Sequence, residues 1–323
     1  MVTRTVADGW LSQSAVTEPG AAGPAIDRLR PDPAQLRQVS QELVAHYFAL
    51  TEGAISGLDD ERAGDVDARY ADVMFARLLG RGVPELSRPR PETERVLGCC
   101  RDFTLLFVSM ARHKGIAARA RVGYATYFQP GWFIDHVIAE IWDEGKGRWR
   151  LVEPEISEEL ASQAGSGGFD PLDVPPAIFL TGPRAWQAAR AGTIDPERFV
   201  VSPEIDEPYT RGWLSLRHHL VQDLAALTKT EMLLWDQWGM LGDPDVLGQA
   251  RTLDELAAVT VDSQRSLNEL ETWARRDGLR VPATVVSYSP ARPGPTEVDV
   301  TRVSSTLGWT APAEASRSDL LPS

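Results

Sequence analysis

One stretch near the middle of the chain does most to limit its possible folds, because the periodicity of its apolar residues changes there. A buried helix is predicted for residues 100–115 from the length and apolar density of CRDFTLLFVSMARHKG, which ends in a glycine. Strands are predicted next, because apolar and polar residues alternate or β-forming residues are frequent over residues 116–128 and 135–142. A turn at residues 143–147 then leads to residues 148–155. This order predicts an α+β fold with the helix packed on one face of an antiparallel sheet.

Further helices are predicted on both sides of this stretch. The first covers residues 31–50, with Asp32 as the N-cap and Pro33 at the first helical position. The remaining predicted helices are residues 71–80, 182–192, 212–240 and 253–276.

Composition divides the chain into four predicted parts. Residues 1–30 are rich in small residues and proline, which indicates a mobile arm, and residues 31–156 form the predicted core with its N-terminal helices. Residues 157–280 form a mainly helical lobe, and residues 281–323 form a proline-rich irregular tail.

Charge and hydropathy argue against two classes of partner. The chain has 33 Lys and Arg residues against 46 Asp and Glu residues, and no local basic patch offsets the formal charge of −13. Such a chain repels phosphate backbones and anionic membranes, so neither nucleic acid nor membrane is a predicted partner. No signal-peptide core and no run of about 20 apolar residues is present, so a cytoplasmic location is expected. The sequence leaves the oligomeric state open.

The two cysteines of the chain are neighbours, Cys99 and Cys100. A disulfide that closes an ordinary loop needs a larger Cα separation than adjacent residues allow, and vicinal bridges are rare. The sequence therefore predicts reduced thiols in a reducing compartment.

Cys100 has the features of a nucleophile because it lies where the predicted helix begins. The helix dipole and the free N–H groups of a first turn favour a thiolate, and the same groups can stabilise the oxyanion formed when a carbonyl is attacked. We therefore expect Cys100 to react as a thiolate of low pKa.

A thiolate also needs an imidazole and a group that orients the imidazole. His136 lies on the second predicted strand and Glu153 at the end of the third, so a hairpin brings them side by side. The sequence thus predicts a catalytic triad of Cys100, His136 and Glu153. Alternative interpretations are a hydrogen-bonded structural histidine, a solvated cap for Glu153, and Asp135 as the orienting acid.

The register of this hairpin decides whether histidine and acid share a face. The predicted register sets His136 opposite Glu153 and closes the hairpin with a four-residue loop at residues 143–146. A competing register sets Glu140 opposite Arg150, a favourable charge pair, and moves the acid to the other face.

The motifs GCCRDFTLLFVSMARHKGIAARARVGY, DHVIAEIW and WRLVEPE resemble the three-part signature of the transglutaminase-like superfamily over residues 93–156. The resemblance implies a papain-like fold with Cys100 as nucleophile, because Cys100 directly precedes Arg-Asp-Phe, and His136 as base and acid. The family usually has an aspartate before proline where this chain has Glu153. The segment LRHHLVQDLAALTKTEMLLWDQWG also resembles a C-terminal region of some bacterial transglutaminase-like proteins.

Other titratable residues have structural explanations. Cys99 is interpreted as a core residue, and Asp102 is favourable in a helical first turn for dipole reasons alone. His218 and His219 lie on a predicted amphipathic helix, where solvent exposure or a structural hydrogen bond is expected. A zinc site built from both cysteines, His136 and these two histidines fits no standard ligand spacing.

The predicted reaction is acyl transfer on an amide or thioester-type group of a small molecule or peptide, through a thioester on Cys100. This chemistry needs no metal and no organic cofactor. Water as acceptor would make the chain an amidase or peptidase, and an amine would make it an amide-forming enzyme. The rival hypothesis is a catalytically silent member of the same fold that serves as a binding module.

Overall fold

The computed structural model describes residues 6–50, 60–82, 85–165, 167–262 and 264–304. Across these described ranges, no helix combines the length and the apolar character needed to cross a membrane.

Helices lie before, between and after the strands of the central sheet in the chain. The described α-helices are α1 (Gly23–Asp27), α2 (Pro33–Leu43), α3 (Tyr47–Leu50), α4 (Asp60–Val66), α5 (Ala71–Gly80), α6 (Cys100–His113), α7 (Glu158–Gln163), α8 (Gly182–Arg190), α9 (Gly212–Leu227), α10 (Ala250–Thr260), α11 (Leu267–Ala274) and α12 (Thr301–Ser304).

The strands of the described residues form three sheets. They are β1 (Val44–His46), β2 (Val96–Gly98), β3 (Ala118–Ala125), β4 (Phe133–Asp143), β5 (Arg148–Val152), β6 (Phe179–Thr181), β7 (Phe199–Val200), β8 (Asp236–Gln237), β9 (Thr284–Ser287) and β10 (Thr296–Asp299). The central sheet has the order β5-β4-β3-β6 with antiparallel neighbours, and β7 pairs with β4 in parallel. A second sheet joins β1 and β2 in parallel, and a third has the order β10-β9-β8.

Helix α6 lies against the central sheet and is almost completely enclosed. Every residue from Cys100 to Arg112 is buried, and the side chains of Leu106 and Phe107 are fully inside the main hydrophobic cluster. The Thr104 hydroxyl donates to the Val137 carbonyl of β4 at 2.8 Å, which joins the helix to the sheet. The predicted α+β fold, with a helix packed on a largely antiparallel sheet, is confirmed.

The β4–β5 hairpin has a register that differs from both registers considered. Glu140 pairs with Leu151, whereas the predicted register would place it opposite Trp149 and the competing one opposite Arg150. The predicted register is therefore wrong by two residues. Because side chains alternate faces along a strand, a displacement of two residues leaves every side chain on its predicted face.

The loop of this hairpin explains the displacement. Asp143 pairs with Arg148, so the four loop residues are 144–147, where residues 143–146 were predicted. Gly147 has a φ of 61°, a left-handed conformation that suits the end of a hairpin loop and that glycine adopts without steric cost. The Asp143 carboxylate also accepts the Lys146 N–H at 3.0 Å inside the loop.

The prediction that residues 1–30 form a mobile arm is wrong for residues 6–30, which pack on the core. Trp10 is fully buried, and its indole N–H donates to the Leu227 carbonyl at the end of α9, 2.9 Å away. Residues 1–5 lie outside the described residues. The prediction failed because this segment contributes single buried side chains to the core, and isolated apolar residues produce no periodic pattern in the sequence.

Two predicted helices end earlier than expected. The helix predicted over residues 31–50 has its predicted start, where the Asp32 carboxylate caps the Ala34 N–H at 3.2 Å, but it stops at the end of α2 because β1 then pairs with β2. The helix predicted over residues 212–240 ends with α9, and Lys229 follows with a left-handed φ of 64°.

The helix predicted over residues 253–276 is two helices, α10 and α11. The break is set by a capping box at the start of α11, in which Ser266 Oγ accepts the Glu269 N–H at 3.4 Å and Glu269 Oε2 accepts the Ser266 N–H at 2.9 Å.

The packing does not follow the predicted boundary between residues 156 and 157. Helix α9 lies against β3, where Arg121 donates to the Asp223 carboxylate at 2.8 Å and the Val122 N–H donates to the same carboxylate at 2.8 Å. The predicted mainly helical lobe therefore shares its packing with the core.

The prediction of an irregular tail over residues 281–323 is wrong where β9 and β10 pair with each other. Strand β9 also pairs with β8, which joins the tail to the segment that follows α9. Residues 305–323 lie outside the described residues.

Candidate active site

The start of α6 is built by a tight turn that places Cys100 at the first helical position. The Asp102 carboxylate accepts the Cys99 N–H at 2.9 Å and pairs with the Arg101 guanidinium at 2.9 Å. A Cβ atom at Gly98 would lie 2.5 Å from Asp102 Oδ2, so this approach requires glycine. The structural interpretation of Asp102 therefore holds, because its carboxylate is occupied by the helix start.

His136 and Glu153 are in contact, as predicted. His136 Nε2 lies 2.7 Å from Glu153 Oε2, although the two residues are not directly opposite each other. The β4–β5 ladder ends at the pair of Ala139 and Val152, and Glu153 follows as the chain leaves the sheet. The same-face prediction and the predicted contact are confirmed, and the catalytic role of the pair stays a prediction.

Glu153 is fully buried, so the alternative of a solvated cap is wrong. The Tyr127 hydroxyl donates to its Oε2, and the Glu155 N–H donates to its Oε1 at 2.9 Å. Its backbone is also fixed, since its carbonyl accepts from Arg37 Nε at 2.7 Å. Although burial acts to raise the pKa of Glu153, the His136 charge and these hydrogen bonds outweigh it and lower the pKa below the ordinary value.

The imidazole of His136 is a stronger base than an ordinary histidine. Burial acts to lower its pKa, but the adjacent Glu153 carboxylate outweighs burial and raises the pKa. Because Nε2 is engaged with Glu153, Nδ1 is the nitrogen left for a second partner.

Cys100 lies beside this imidazole. Its Sγ, a ring nitrogen of His136 and a carboxylate oxygen of Glu155 all lie within 4.8 Å of one another. Both the cysteine and the histidine are almost covered, with 6% and 2% of their surface exposed. The structure thus brings the three predicted site residues together and adds a second carboxylate.

The expected low-pKa thiolate is not what this arrangement produces. The hydrogen bond with the Cys99 thiol and burial both raise the pKa of Cys100 well above its ordinary value. The Cys99 hydrogen bond and burial together outweigh the favourable first turn of α6, so the resting thiol keeps its proton. Proton transfer to His136 must then accompany attack on a carbonyl.

Glu155 was missed by the sequence analysis. Its Oε2 lies 3.9 Å from His136 Nδ1, and its Oε1 lies 3.9 Å from Nε2 of His46 on β1. Burial raises the pKa of Glu155 to about 7, so its charge changes near neutral pH. The spacing in Glu-Pro-Glu was the available signal, because residues two apart point to the same side of an extended chain.

His46 was missed as well. It pairs with Gly98 across the β1–β2 ladder, which brings it next to the start of α6. Burial and the His136 charge lower the pKa of His46 to about 4. No local pattern indicated this position, because a long-range strand pair creates it.

The remaining candidates have other partners. The Asp135 carboxylate lies 3.8 Å from His219 Nε2, so it does not replace Glu153 as the orienting group. Both His218 and His219 are buried and hydrogen-bonded, to the Leu234 carbonyl at 2.7 Å and to the Tyr124 hydroxyl at 2.9 Å. A structural hydrogen bond, one of the two outcomes expected for these histidines, is present for each.

Aromatic rings surround the imidazole. The Phe128 ring packs edge-on against His136 with centroids 4.9 Å apart, and the rings of Tyr127 and Phe179 lie within 6.3 Å. Cys99 and Cys100 belong to a small apolar cluster that Trp235, from beyond α9, packs against. The site is therefore enclosed by apolar surface on several sides.

A cysteine at the first turn of a buried helix thus lies beside a histidine and an acid carried by the adjacent sheet, the arrangement of a Cys-His-acid site. Residues 85–154 match the model of the transglutaminase-like superfamily. The match confirms the resemblance inferred from the motifs. No match was found among curated proteins or among solved structures.

Proposed function

We propose that this chain is a cysteine-dependent acyl-transfer enzyme that acts on an amide or thioester-type substrate. The observation that carries the proposal is the position of His136, which is 2.7 Å from Glu153 on one side and lies next to Cys100 Sγ on the other. The superfamily match supports this proposal, because members of that superfamily are usually cysteine enzymes.

The proposed reaction begins as Sγ of Cys100 attacks the substrate carbonyl carbon and its proton passes to His136. The first-turn N–H groups of α6 stabilise the oxyanion. The imidazolium then protonates the leaving group, whose bond to the carbonyl carbon breaks, and a thioester remains on Cys100. Water or an amine, deprotonated by His136, attacks the thioester, and the thiol regains its proton.

Glu153 serves to orient the imidazole and to stabilise its charged form. Its carboxylate is held by Tyr127 and by the Glu155 N–H, so the histidine cannot rotate away without losing a buried hydrogen bond. Trp235 packs against the apolar cluster that contains both cysteines, which supports the expectation that the segment following residue 157 forms part of the substrate cleft wall.

A catalytically silent binding module is the second candidate. The low exposure of Cys100 and His136 and the raised pKa of the Cys100 thiol favour it. A pH-dependent labelling rate alone does not separate the two candidates, because an enzyme with this resting thiol would also react slowly at low pH.

The test is intact-protein mass spectrometry after incubation with a panel of activated esters, thioesters and amides. We expect a mass increase equal to the acyl group, located by peptide mapping at Cys100. Adding a primary amine during turnover separates the two acceptors, because an amide product indicates transfer and a free acid indicates hydrolysis. Absence of an adduct with every donor would support the silent module.

A further inference from the structure

The cluster of Cys100, His136 and Glu155 contains three different ligand types facing one another. We propose that these three side chains bind a divalent transition metal ion, of which Zn²⁺ is the representative, and that the bound ion blocks the Cys100 sulfur. Metal binding is independent of the proposed function, whereas the inhibitory consequence rests on it.

The ligand chemistry favours zinc over harder cations. Thiolate, imidazole and carboxylate are the three side-chain ligands of Zn²⁺, with bonds of about 2.0–2.3 Å. In a tetrahedral site such bonds place ligand atoms roughly 3.2–3.8 Å apart. The three ligand atoms here are all within 4.8 Å of one another, so shifts of about 1 Å close the site.

Glu155 is free to make that shift. Its Oε2 is buried and has no hydrogen-bond partner among the residues that the structure describes. The two histidines beside it do not form hydrogen bonds with it. His46 Nε2 lies 3.9 Å from Glu155 Oε1 and His136 Nδ1 lies 3.9 Å from Glu155 Oε2, beyond hydrogen-bond distance. The side chain is 16% exposed, which provides a route for an ion from solvent.

His136 is already oriented as a metal ligand. A histidine that binds a metal through one nitrogen commonly donates its other N–H to a carboxylate, which fixes the tautomer and the ring direction. The Glu153 carboxylate accepts the hydrogen bond from Nε2 of His136, so Nδ1 of His136 is directed to the cluster. Glu153 therefore supports the proposed site without being a ligand.

This ligand set differs from the zinc site that was considered from the spacing of cysteines and histidines in the sequence. Neither Cys99 nor the pair His218 and His219 belongs to the cluster. Glu155 completes the set instead, with the fourth position left to a water molecule.

Metal binding displaces the thiol proton of Cys100. The Cys100 S–H bond breaks, its proton leaves to solvent, and a bond between Sγ and the metal ion forms. The sulfur lone pair that would attack a carbonyl is then engaged with the ion. No oxidant or reductant is needed.

The test uses the full chain after treatment with a chelator. Titration calorimetry with ZnCl₂ should show one ion bound per chain, and CoCl₂ should produce a thiolate-to-cobalt charge-transfer band. MgCl₂ should give neither signal, because Mg²⁺ prefers oxygen ligands. Bound zinc should also slow alkylation of Cys100 by iodoacetamide, a readout that does not need substrate.

Variants identify the site. Cys100→Ala should abolish the cobalt band, and Glu155→Gln should weaken zinc binding at least about tenfold. Cys99→Ala is the matched control and should keep both signals. Circular dichroism establishes whether each variant is folded. Because the Glu155 side chain is partly exposed, Glu155→Gln still tests the site if Cys100→Ala fails to fold.

Either of two results would overturn the proposal: no zinc binding to the wild-type chain, or zinc binding that Cys100→Ala and Glu155→Gln leave unchanged. Since these measurements use no acyl donor, zinc binding without any acyl adduct would refute the proposed function alone. An acyl adduct without zinc binding would refute this inference alone.

Discussion

At the scale of single residues, the glutamate that replaces the usual aspartate has a geometric explanation. In the observed register Glu153 is diagonal to His136, beyond the last pair of the β4–β5 ladder. Diagonal neighbours on a sheet are about 7–8 Å apart, a span that the additional methylene of glutamate helps to cover. The departure from the family pattern is therefore compatible with an oriented imidazole.

The two adjacent thiols should behave differently. Cys100→Ala should abolish acyl-adduct formation, because Sγ of Cys100 is the sulfur in the cluster with His136. Cys99→Ala should retain most of it, and it should lower the Cys100 pKa, since the Cys99 thiol is the largest cause of the rise. Adduct yield and the pH dependence of iodoacetamide alkylation measure the two effects. Equal loss of adduct in both variants would contradict the assignment.

The pair of His136 and Glu153 should stabilise the fold in a defined pH window. The raised pKa of His136 means that its contribution is complete below the ordinary value of 6.5 and is lost as pH rises through the raised value. The lowered pKa of Glu153 means that its contribution is present above 4.5 and is lost as pH falls through the lowered value. The stabilisation is therefore largest between these two pH values.

Glu153→Gln should accordingly reduce the free energy of unfolding by about 3 kcal/mol near pH 5.5 and by less near pH 8.5, since a buried charged pair loses one partner. Urea unfolding at both pH values measures the difference. An equal loss at both would show that the pair is not ionised in the folded state.

At the scale of elements, the β4–β5 hairpin is set by one glycine. Gly147 has a φ of 61°, which an L-residue with a side chain adopts only at a cost of roughly 1–2 kcal/mol. Gly147→Ala should lower the free energy of unfolding by that amount. Gly145 lies in the same loop without a positive φ, and a Cβ there would make an ordinary contact at 3.4 Å with Asp143.

Gly145→Ala is therefore the matched control and should change stability by less than about 0.5 kcal/mol. Thermal unfolding of both variants separates them. If the two substitutions cost the same, the left-handed residue does not determine this loop.

At the scale of the whole molecule, the N-terminal segment contributes to the central core. Trp10 packs edge-on against Trp149 of β5 at 5.4 Å, and the Arg119 guanidinium of β3 lies 4.8 Å from its ring centroid. Its indole N–H donates to the carbonyl of Leu227. One side chain thus contacts the sheet and α9 together.

Trp10→Ala should lower the free energy of unfolding by about 3–5 kcal/mol, because it removes a large buried side chain. Leu11→Ala should change it by less than about 0.5 kcal/mol, since Leu11 is 41% exposed. Chemical denaturation measures both. Similar, small losses would indicate that residues 6–30 do not share the core in solution.

Local patterns in the sequence were sufficient for several features. The start of α6 at Cys100, the strand that holds His136, and the α+β order all follow from apolar periodicity and from glycine positions, which act over a few residues. The shared face of His136 and Glu153 also followed, because strand alternation does not change when a register moves by two.

Features that depend on distant contacts were decided only by the tertiary structure. The pairing of β1 with β2 brings His46 to the site, and the exit of β5 directs Glu155 toward Cys100. The raised pKa of the Cys100 thiol is a third such feature, because it is a property of burial and neighbours, not of the helix start. The sequence by itself thus determined the type, the order and the approximate position of the elements of the site. Desolvation and contacts between elements far apart in the chain determined their chemistry, and no local pattern records either.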